Sequence, residues 1–479
     1  MSKTLAKLFD LESQESGSSP LFMTPTLSTN PQSISGDKDG GDGERIPVEE
    51  WLPITESRKG NVYTATFHLL CSGIGLQVIL LPAAFAALGW VWGTIILTVG
   101  FIWKLYTSWL LVHLHEAVPG IRFSRYVRLA IHSFGVKFGK LLGIFPVMYL
   151  SGGACTILVI TGGKSIQQLL YILSENDKVQ LTSVQCFLIF SCIAMIMSQF
   201  PNLNSLFGVS LIGGIMGMAY CTVIWILPVT TSDPQKIQIS VSYTTTDRSF
   251  VHIFNAIGLI AIVFRGNNLV LEIQGTLPSD SKNPSSKTMW RAVMISHMFI
   301  AICMFPLSVI VYWAHGDKIP AMGGPVGNYL RLYEQEYSRR AACFIHLTFI
   351  FSCLCTYPIN LMPACDNAEM VYITKKQKPC SITVRILLRV FLSLVCFSIA
   401  VGFPFLPYLA VLIGAIALLV TFTYPSFMWI SIKKPQRKSP MWLLNVLVGC
   451  LGASLSVLLL VASAMRLADK GLHANFFKP

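Results

Sequence analysis

From Asn61 onward the chain alternates long apolar runs with short polar stretches. A bilayer core of roughly 30 Å needs about 20 helical residues. On that measure eleven candidate spans fall near 61–88, 90–112, 138–172, 183–200, 205–228, 252–274, 290–314, 340–370, 383–403, 405–430 and 441–465. The runs near 138–172 and 340–370 exceed an upright crossing and are expected to tilt or protrude. The pattern predicts an all-α polytopic membrane protein. Its domain, 60–470, is flanked by a disordered N-terminal tail over 1–59 and a short C-terminal tail over 471–479.

The placement of glycine and polar residues sharpens this. The first run reads HLLCSGIGLQVILLPAAFAALGW, with Ser72, Gly73, Ile74 and Gly75 at mid-span. The sixth reads NAIGLIAIVFRGNNLVLEIQGTLPS, where Phe264 is followed by Arg265, Gly266, Asn267 and Asn268. Helix breaks at membrane depth survive only where protein or a water-lined cavity satisfies the freed backbone groups. Paired breaks in corresponding positions of two halves point to a transporter site. The breaks lie about 190 residues apart, and the two overlong runs start about 200 apart, which fits five spans repeated as five. An odd repeat inverts the second half, leaving the eleventh span as an addition. The half-helices after Gly75 and Gly266 then both begin at the midplane. Their N–H ends suit a carboxylate, and the carbonyl ends before them suit an ammonium. One small zwitterion, an amino acid, satisfies both.

Composition agrees. The chain is 53% hydrophobic and 12% charged, with a mean hydropathy of +0.60. A soluble surface needs about twice that charge. The net charge of +13 could suggest a nucleic-acid partner, but no basic stretch interleaves with aromatics. With the N-terminus inside, the inner loops hold 16 Lys and Arg against seven outside. That bias predicts a cytoplasmic N-terminus and, after eleven spans, an extracellular C-terminus. The tail over 1–59 is polar and acidic, and its Ser19-Pro20 and Thr24-Pro25 steps are candidate phosphorylation sites on a flexible segment.

Thirteen cysteines, mostly in apolar runs and without a CxxC, read as packing residues, so no metal site and no disulfide framework is expected. No hydrolase or nucleotide-binding motif occurs, so neither an enzyme nor a cofactor is expected. The plausible intramembrane charges are Lys104, Lys164, Arg265 and Glu272. Such residues are costly there, and a functional role is the default. Arg265 is a carboxylate clamp or a fixed positive charge. Glu272, a lone carboxyl one turn past the break, is the candidate proton carrier. His68, His297 and His346 read as packing residues.

Several stretches resemble the plant amino acid/auxin permease family, and within it the lysine/histidine transporter-like branch. They include ITGGKS at 160–165, SQFPNLNSLFGVSL at 198–211, NLVLEIQGTLPS at 268–279 and TYPINLMPACD at 356–366. The tail with its two proline-directed steps resembles that of the eighth member of that branch. The resemblance implies a LeuT-like fold of eleven helices, with helices 1 and 6 broken. It also implies proton-coupled import of amino acids across the plasma membrane. The partners are then an amino acid, a proton and the lipid bilayer. The family's AYAGHN reads VFRGNN here, and SYQIYAMP reads TYPINLMP, which leaves the substrate open. On this reading the carboxylate meets Ser72 to Gly75 and Arg265, and the ammonium meets carbonyls near Phe264 and the eighth span near Tyr357. Two alternatives stay open: a sensor that binds amino acids without appreciable flux, and a transporter of auxin or another organic acid.

Overall fold

A computed structural model describes residues 51–174, 181–231, 242–243, 250–280, 282–316, 319, 338–403 and 406–469. The polar tail over 1–50 with both proline-directed steps, and the predicted tail over 471–479, lie outside the described residues. Among the described residues the structure is helical, with one isolated β-bridge between Val118 and Ile121. Nine helices among the described residues are long and apolar enough to cross a membrane, and a shorter apolar helix spans Ser183–Met197.

The chain opens with α1 (Val62–Gly73), a short α2 (Leu76–Ile79) and α3 (Leu81–Leu114). Asn61 starts α1 through a reciprocal cap, its side chain accepting from Thr64 N at 2.9 Å while Thr64 Oγ1 accepts from Asn61 N at 2.8 Å. Helical geometry fails inside α3 at Gly89, where φ is 77° and ψ is 177°, a conformation that only glycine adopts cheaply. A Cβ at Gly93 would stand 3.0 Å from the Phe85 ring. In a straight helix residues eight apart are separated by about 12 Å along the axis. The chain therefore folds back at Gly89, and α3 consists of two arms.

A short amphipathic helix, α4 (Tyr126–Phe134), leads into α5 (Val136–Leu173), α6 (Ser183–Met197) and α7 (Phe207–Thr231). The second half begins with α8 (Phe250–Val263) and α9 (Asn267–Gly275). It continues with α10 (Ser285–His315), α11 (Arg339–Lys376) and α12 (Ile382–Gly402). Then come α13 (Leu406–Leu418), a π-helical turn (Leu419–Thr423), α14 (Tyr424–Lys433) and α15 (Pro440–Asp469). The two helices α5 and α11 have 38 residues each, too long for an upright crossing. They pack against each other, and α11 also packs on α7. Exposed positions on the outer helices carry large apolar side chains such as Ile196, Ile302, Phe391 and Val457, as a helix surface in lipid requires.

The last residues of the predicted 1–59 tail are packed on the protein. Trp51–Gly60 folds against the bundle, with Leu52, Ile54 and Thr55 buried. Gly60 N donates to Thr276 O at 3.1 Å. Arg385 Nη2 donates to Trp51 O at 2.6 Å and Nη1 meets Glu56 at 3.2 Å. Composition hid this, because the anchoring groups lie hundreds of residues away.

Candidate functional site

The two interruptions have different chemistry. At the first, Ile74 is extended (φ −97°, ψ 95°), as is Gly75 (φ −139°, ψ −166°). The Gln77 amide turns back into the gap, and Nε2 donates to Ser72 O at 3.3 Å and Gly73 O at 3.2 Å. The carbonyl end that suited an ammonium is thus occupied by the chain itself. A Cβ at Gly75 would stand 2.8 Å from Gln77 Oε1, so glycine here provides room for the amide. Ser72 Oγ donates to Leu69 O at 3.1 Å. From α11, Thr356 Oγ1 donates to Cys71 O at 3.1 Å.

At the second interruption α8 ends in a tight turn, with Arg265 N donating to Ile262 O at 3.3 Å. Gly266 is left-handed (φ 102°, ψ 9°) and caps α9, the conformation for which glycine is preferred. Asn267, fully buried, has every polar position used. Its Nδ2 donates to Thr107 Oγ1 at 2.9 Å and to Thr421 O at 2.8 Å. Its Oδ1 accepts from Ser108 Oγ at 3.1 Å and from Lys104 Nζ. Pro425, four residues on, has no N–H, so the Thr421 carbonyl lacks its ordinary helical donor and accepts from Asn267 instead. Asn267 therefore ties α3, α9 and the tenth apolar segment together.

Arg265 is half-buried and Nη1 donates to Asn360 Oδ1 at 3.3 Å. Asn360 in turn donates to Thr356 O at 2.9 Å, so one chain of contacts runs from Arg265 through α11 to Cys71 at the first interruption. Lys104 is buried beside the same break. Among the described residues neither Arg265 nor Lys104 has a carboxylate within 4.0 Å. Buried charge without a counter-charge is expensive, and the N–H end of α9 adds to the positive field.

Phe264 is buried, packed so tightly on α3 that a Cβ at Gly100 would meet its ring at 2.7 Å. Tyr357 does not join the site. Its ring packs edge-on against Phe190 of α6, with centroids 6.5 Å apart. One residue earlier, Thr356 faces the first break instead, because successive helical residues point about 100° apart. Glu272 on α9 is buried and makes no hydrogen bond or ion pair with the described residues. Lys164 is half-buried on α5. Sequence reasoning did not single out Gln77, Thr356 or Asn360. The signal for Asn360 was a lone amide in the apolar TYPINLMP stretch. Among the described residues no cluster of His, Cys, Asp and Glu could hold a metal.

Residues 58–465 match the family described as "Transmembrane amino acid transporter protein". The chain is 86% identical over 479 residues, all of both chains, to "Lysine histidine transporter-like 7" of Arabidopsis thaliana. It is 43% identical over 439 residues to "Lysine histidine transporter-like 8" of the same plant, covering 90% of this chain and 84% of that one. The branch expected from the sequence is supported, but the eighth member expected from the tail is not, since identity along the whole chain is twice as high to the seventh. Among solved structures, a substrate-bound, outward-open Na+-coupled sialic acid symporter superposes with a TM-score of 0.57 at 12% identity, covering 88% of this chain and 92% of that one. That likeness is one of fold alone, a LeuT-like helical architecture. By sequence along nearly all of its apolar length, the chain belongs to the transmembrane amino acid transporter family, and is a multi-pass membrane transporter rather than an enzyme.

Proposed function

We propose that the protein is a proton-coupled importer of amino acids at the plasma membrane, working by alternating access around the two helix interruptions. On this reading the membrane is crossed eleven times in a five-plus-five inverted repeat. The first crossing joins α1, α2 and the short arm of α3, the long arm of α3 is the second, and α8 with α9 is the sixth. The N-terminus is cytoplasmic and the C-terminus extracellular.

The observation that carries the reading is the pair of cations, Arg265 and Lys104, at one helix break without a carboxylate partner among the described residues. A substrate carboxylate supplies that missing charge, received by Arg265 and the N–H groups beginning α9. The Gly75 end of the first break lies on the other side of the same chain of contacts. Asn267 holds the break in shape. Phe264, packed on Gly100, is placed to move as a gate, and Glu272 carries the proton.

Uptake of labelled amino acids into a transport-deficient cell should rise as external pH falls and collapse with an uncoupler. Uptake indifferent to both would end the coupling proposal. A second reading draws support from Gln77. Its amide covers carbonyls that an ammonium would meet, which favours an anion without an amine, such as auxin or another organic acid. One competition panel containing both classes separates the two.

A further inference from the structure

Away from the break, the far end of α9 meets a buried junction that the substrate site does not use. Arg125, in the link before α4, donates through Nε to Asp366 Oδ2 at 2.5 Å and through Nη2 to Oδ1 at 3.2 Å. Both residues are buried, at 2% and 0% exposure. The same pair fastens the packed N-terminal segment: Arg125 Nη2 also donates to Thr55 Oγ1 at 3.1 Å, and Ile54 N donates to Asp366 Oδ1 at 3.4 Å. Two polar groups there are unspent. Arg125 Nη1 is buried without a hydrogen-bond partner. Glu272 is buried, makes no hydrogen bond with the described residues, and lies close enough to Asp366 and Arg125 to interact with both charges.

The placement is independently fixed by packing. A Cβ at Gly275 would stand 2.8 Å from Ser124 Cβ and 3.5 Å from Ile54 Cγ2. Glu272 is three residues earlier on the same helical face, so it faces the Ser124–Arg125–Ile54 corner. The other titratable groups around α9 are engaged elsewhere. Lys104 bonds Asn267 at the opposite end of the helix, and His68 of α1 bonds Ser210 Oγ at 2.6 Å. Tyr126 of α4 donates to Val420 O at 2.8 Å, and His297 of α10 bonds Val293 O at 2.8 Å. In the link, Glu116 pairs with Arg122 at 3.3 Å and touches His115 at 3.6 Å. On α11, Glu369 pairs with Arg385 at 3.1 Å. The π-helical turn carries no titratable group.

We infer that Arg125 and Asp366 are positioning residues that tie the protonation of Glu272 to closure of the end of the bundle covered by residues 51–60. One cation faces two carboxyl groups. With Glu272 protonated the closed junction is electroneutral. With Glu272 ionised it holds one excess negative charge out of water, a cost that is relieved when the segment lifts and water enters. Opening toward the side that bears the N-terminal segment therefore goes with proton loss to that side, and reloading the proton recloses it. The inference rests on the reading of Glu272 as proton carrier.

Hydrogen–deuterium exchange on the full chain in nanodiscs tests it. After correction for intrinsic rates, amides of residues 52–60 should exchange at least fivefold faster at pH 7.5 than at pH 5.5. Glu272→Gln should hold exchange slow at both pH values, and Arg125→Lys should keep part of the dependence. Asp366→Asn makes the junction neutral with Glu272 ionised, and should abolish or reverse the dependence. A wild-type ratio below twofold, or a wild-type dependence retained in Glu272→Gln or Asp366→Asn, overturns the inference. Uptake reports separately on the carrier. If acid stimulation survives Glu272→Gln while the exchange dependence is lost, the carrier role falls and the junction stands. If acid stimulation is lost while the exchange dependence persists, the junction falls and the carrier stands.

Discussion

Asn267 and Lys104 offer a direct measure of how the second helix break is held. Asn267→Ala removes four hydrogen bonds at a fully buried position. Thr107 and Ser108 lose one partner each, the Thr421 carbonyl loses its donor, and the Lys104 ammonium loses its acceptor. Polar pairs between membrane helices average about 0.6 kcal/mol each, so the three neutral contacts together contribute about 2 kcal/mol. The bond from a charged donor adds about 1.5–3 kcal/mol. The single variant should therefore lose about 4 kcal/mol. Lys104→Met removes the charge and keeps an apolar chain of similar length. In the double variant no buried ammonium is left stranded, so the two losses should fall short of additivity by about 1.5 kcal/mol or more. Denaturant unfolding of the purified protein in mixed micelles, across the four members of the cycle, measures this. Additivity within about 0.5 kcal/mol would refute the claim that Asn267 serves as the acceptor that makes Lys104 tolerable.

Three further outcomes are expected. Arg265→Ala should raise the substrate KM by about tenfold or more, the loss of one charge-assisted contact, whereas Arg265→Lys should recover part of it; uptake kinetics that leave KM unchanged remove the clamp role. Gly213→Ala should destabilise by about 1–3 kcal/mol through overpacking, since its Cβ would lie 2.5 Å from Cys71 Sγ and 2.6 Å from Cys355 Cβ, and a melting curve equal to wild type would show that the α1–α7–α11 contact yields freely. Burial pushes the Glu116 carboxyl up, but hydrogen bonds, with Ser285 Oγ at 2.8 Å among them, outweigh it and hold the group down at about 2 against an ordinary 4.5. Its contribution is then complete above about pH 4.5 and disappears as pH falls through about 2. The stability gap between wild type and Glu116→Gln should close over that window, and a gap constant down to pH 2 contradicts the assignment.

Much of the second break was legible. Arg265, Gly266 and two asparagines cannot continue an apolar helix quietly, and the structure stops α8 at Val263 and restarts at Asn267. What Asn267 does was not legible, because its partners are about 160 residues away and one of them is the carbonyl of Thr421, left without a helical donor by Pro425. The choice between Thr356 and Tyr357 was hidden for another reason. Helix α11 is buried nearly all round, so no polar stripe shows its rotation. Gln77 was passed over because its backbone position, two residues past the gap, does not reveal a side chain folding back over Ser72 and Gly73. The fold-back at Gly89 lies where the sequence pattern separates the first two spans, 61–88 and 90–112, and a single glycine of positive φ makes the turn.

The sequence by itself determined the class of molecule. Apolar runs this long, and charge this scarce, admit only a helical membrane protein, because lipid cannot satisfy an open backbone. It also located the two interruptions, since glycine and buried charge act where they stand. Only the tertiary structure decided which groups each interruption faces. It closed one with Gln77 and left Arg265 and Lys104 at the other without a carboxylate among the described residues. It also drew residues 51–60 onto the Arg125–Asp366 pair. Those outcomes depend on contacts between segments far apart in the chain, and hydrogen-bond partners at such separations leave no local pattern to read.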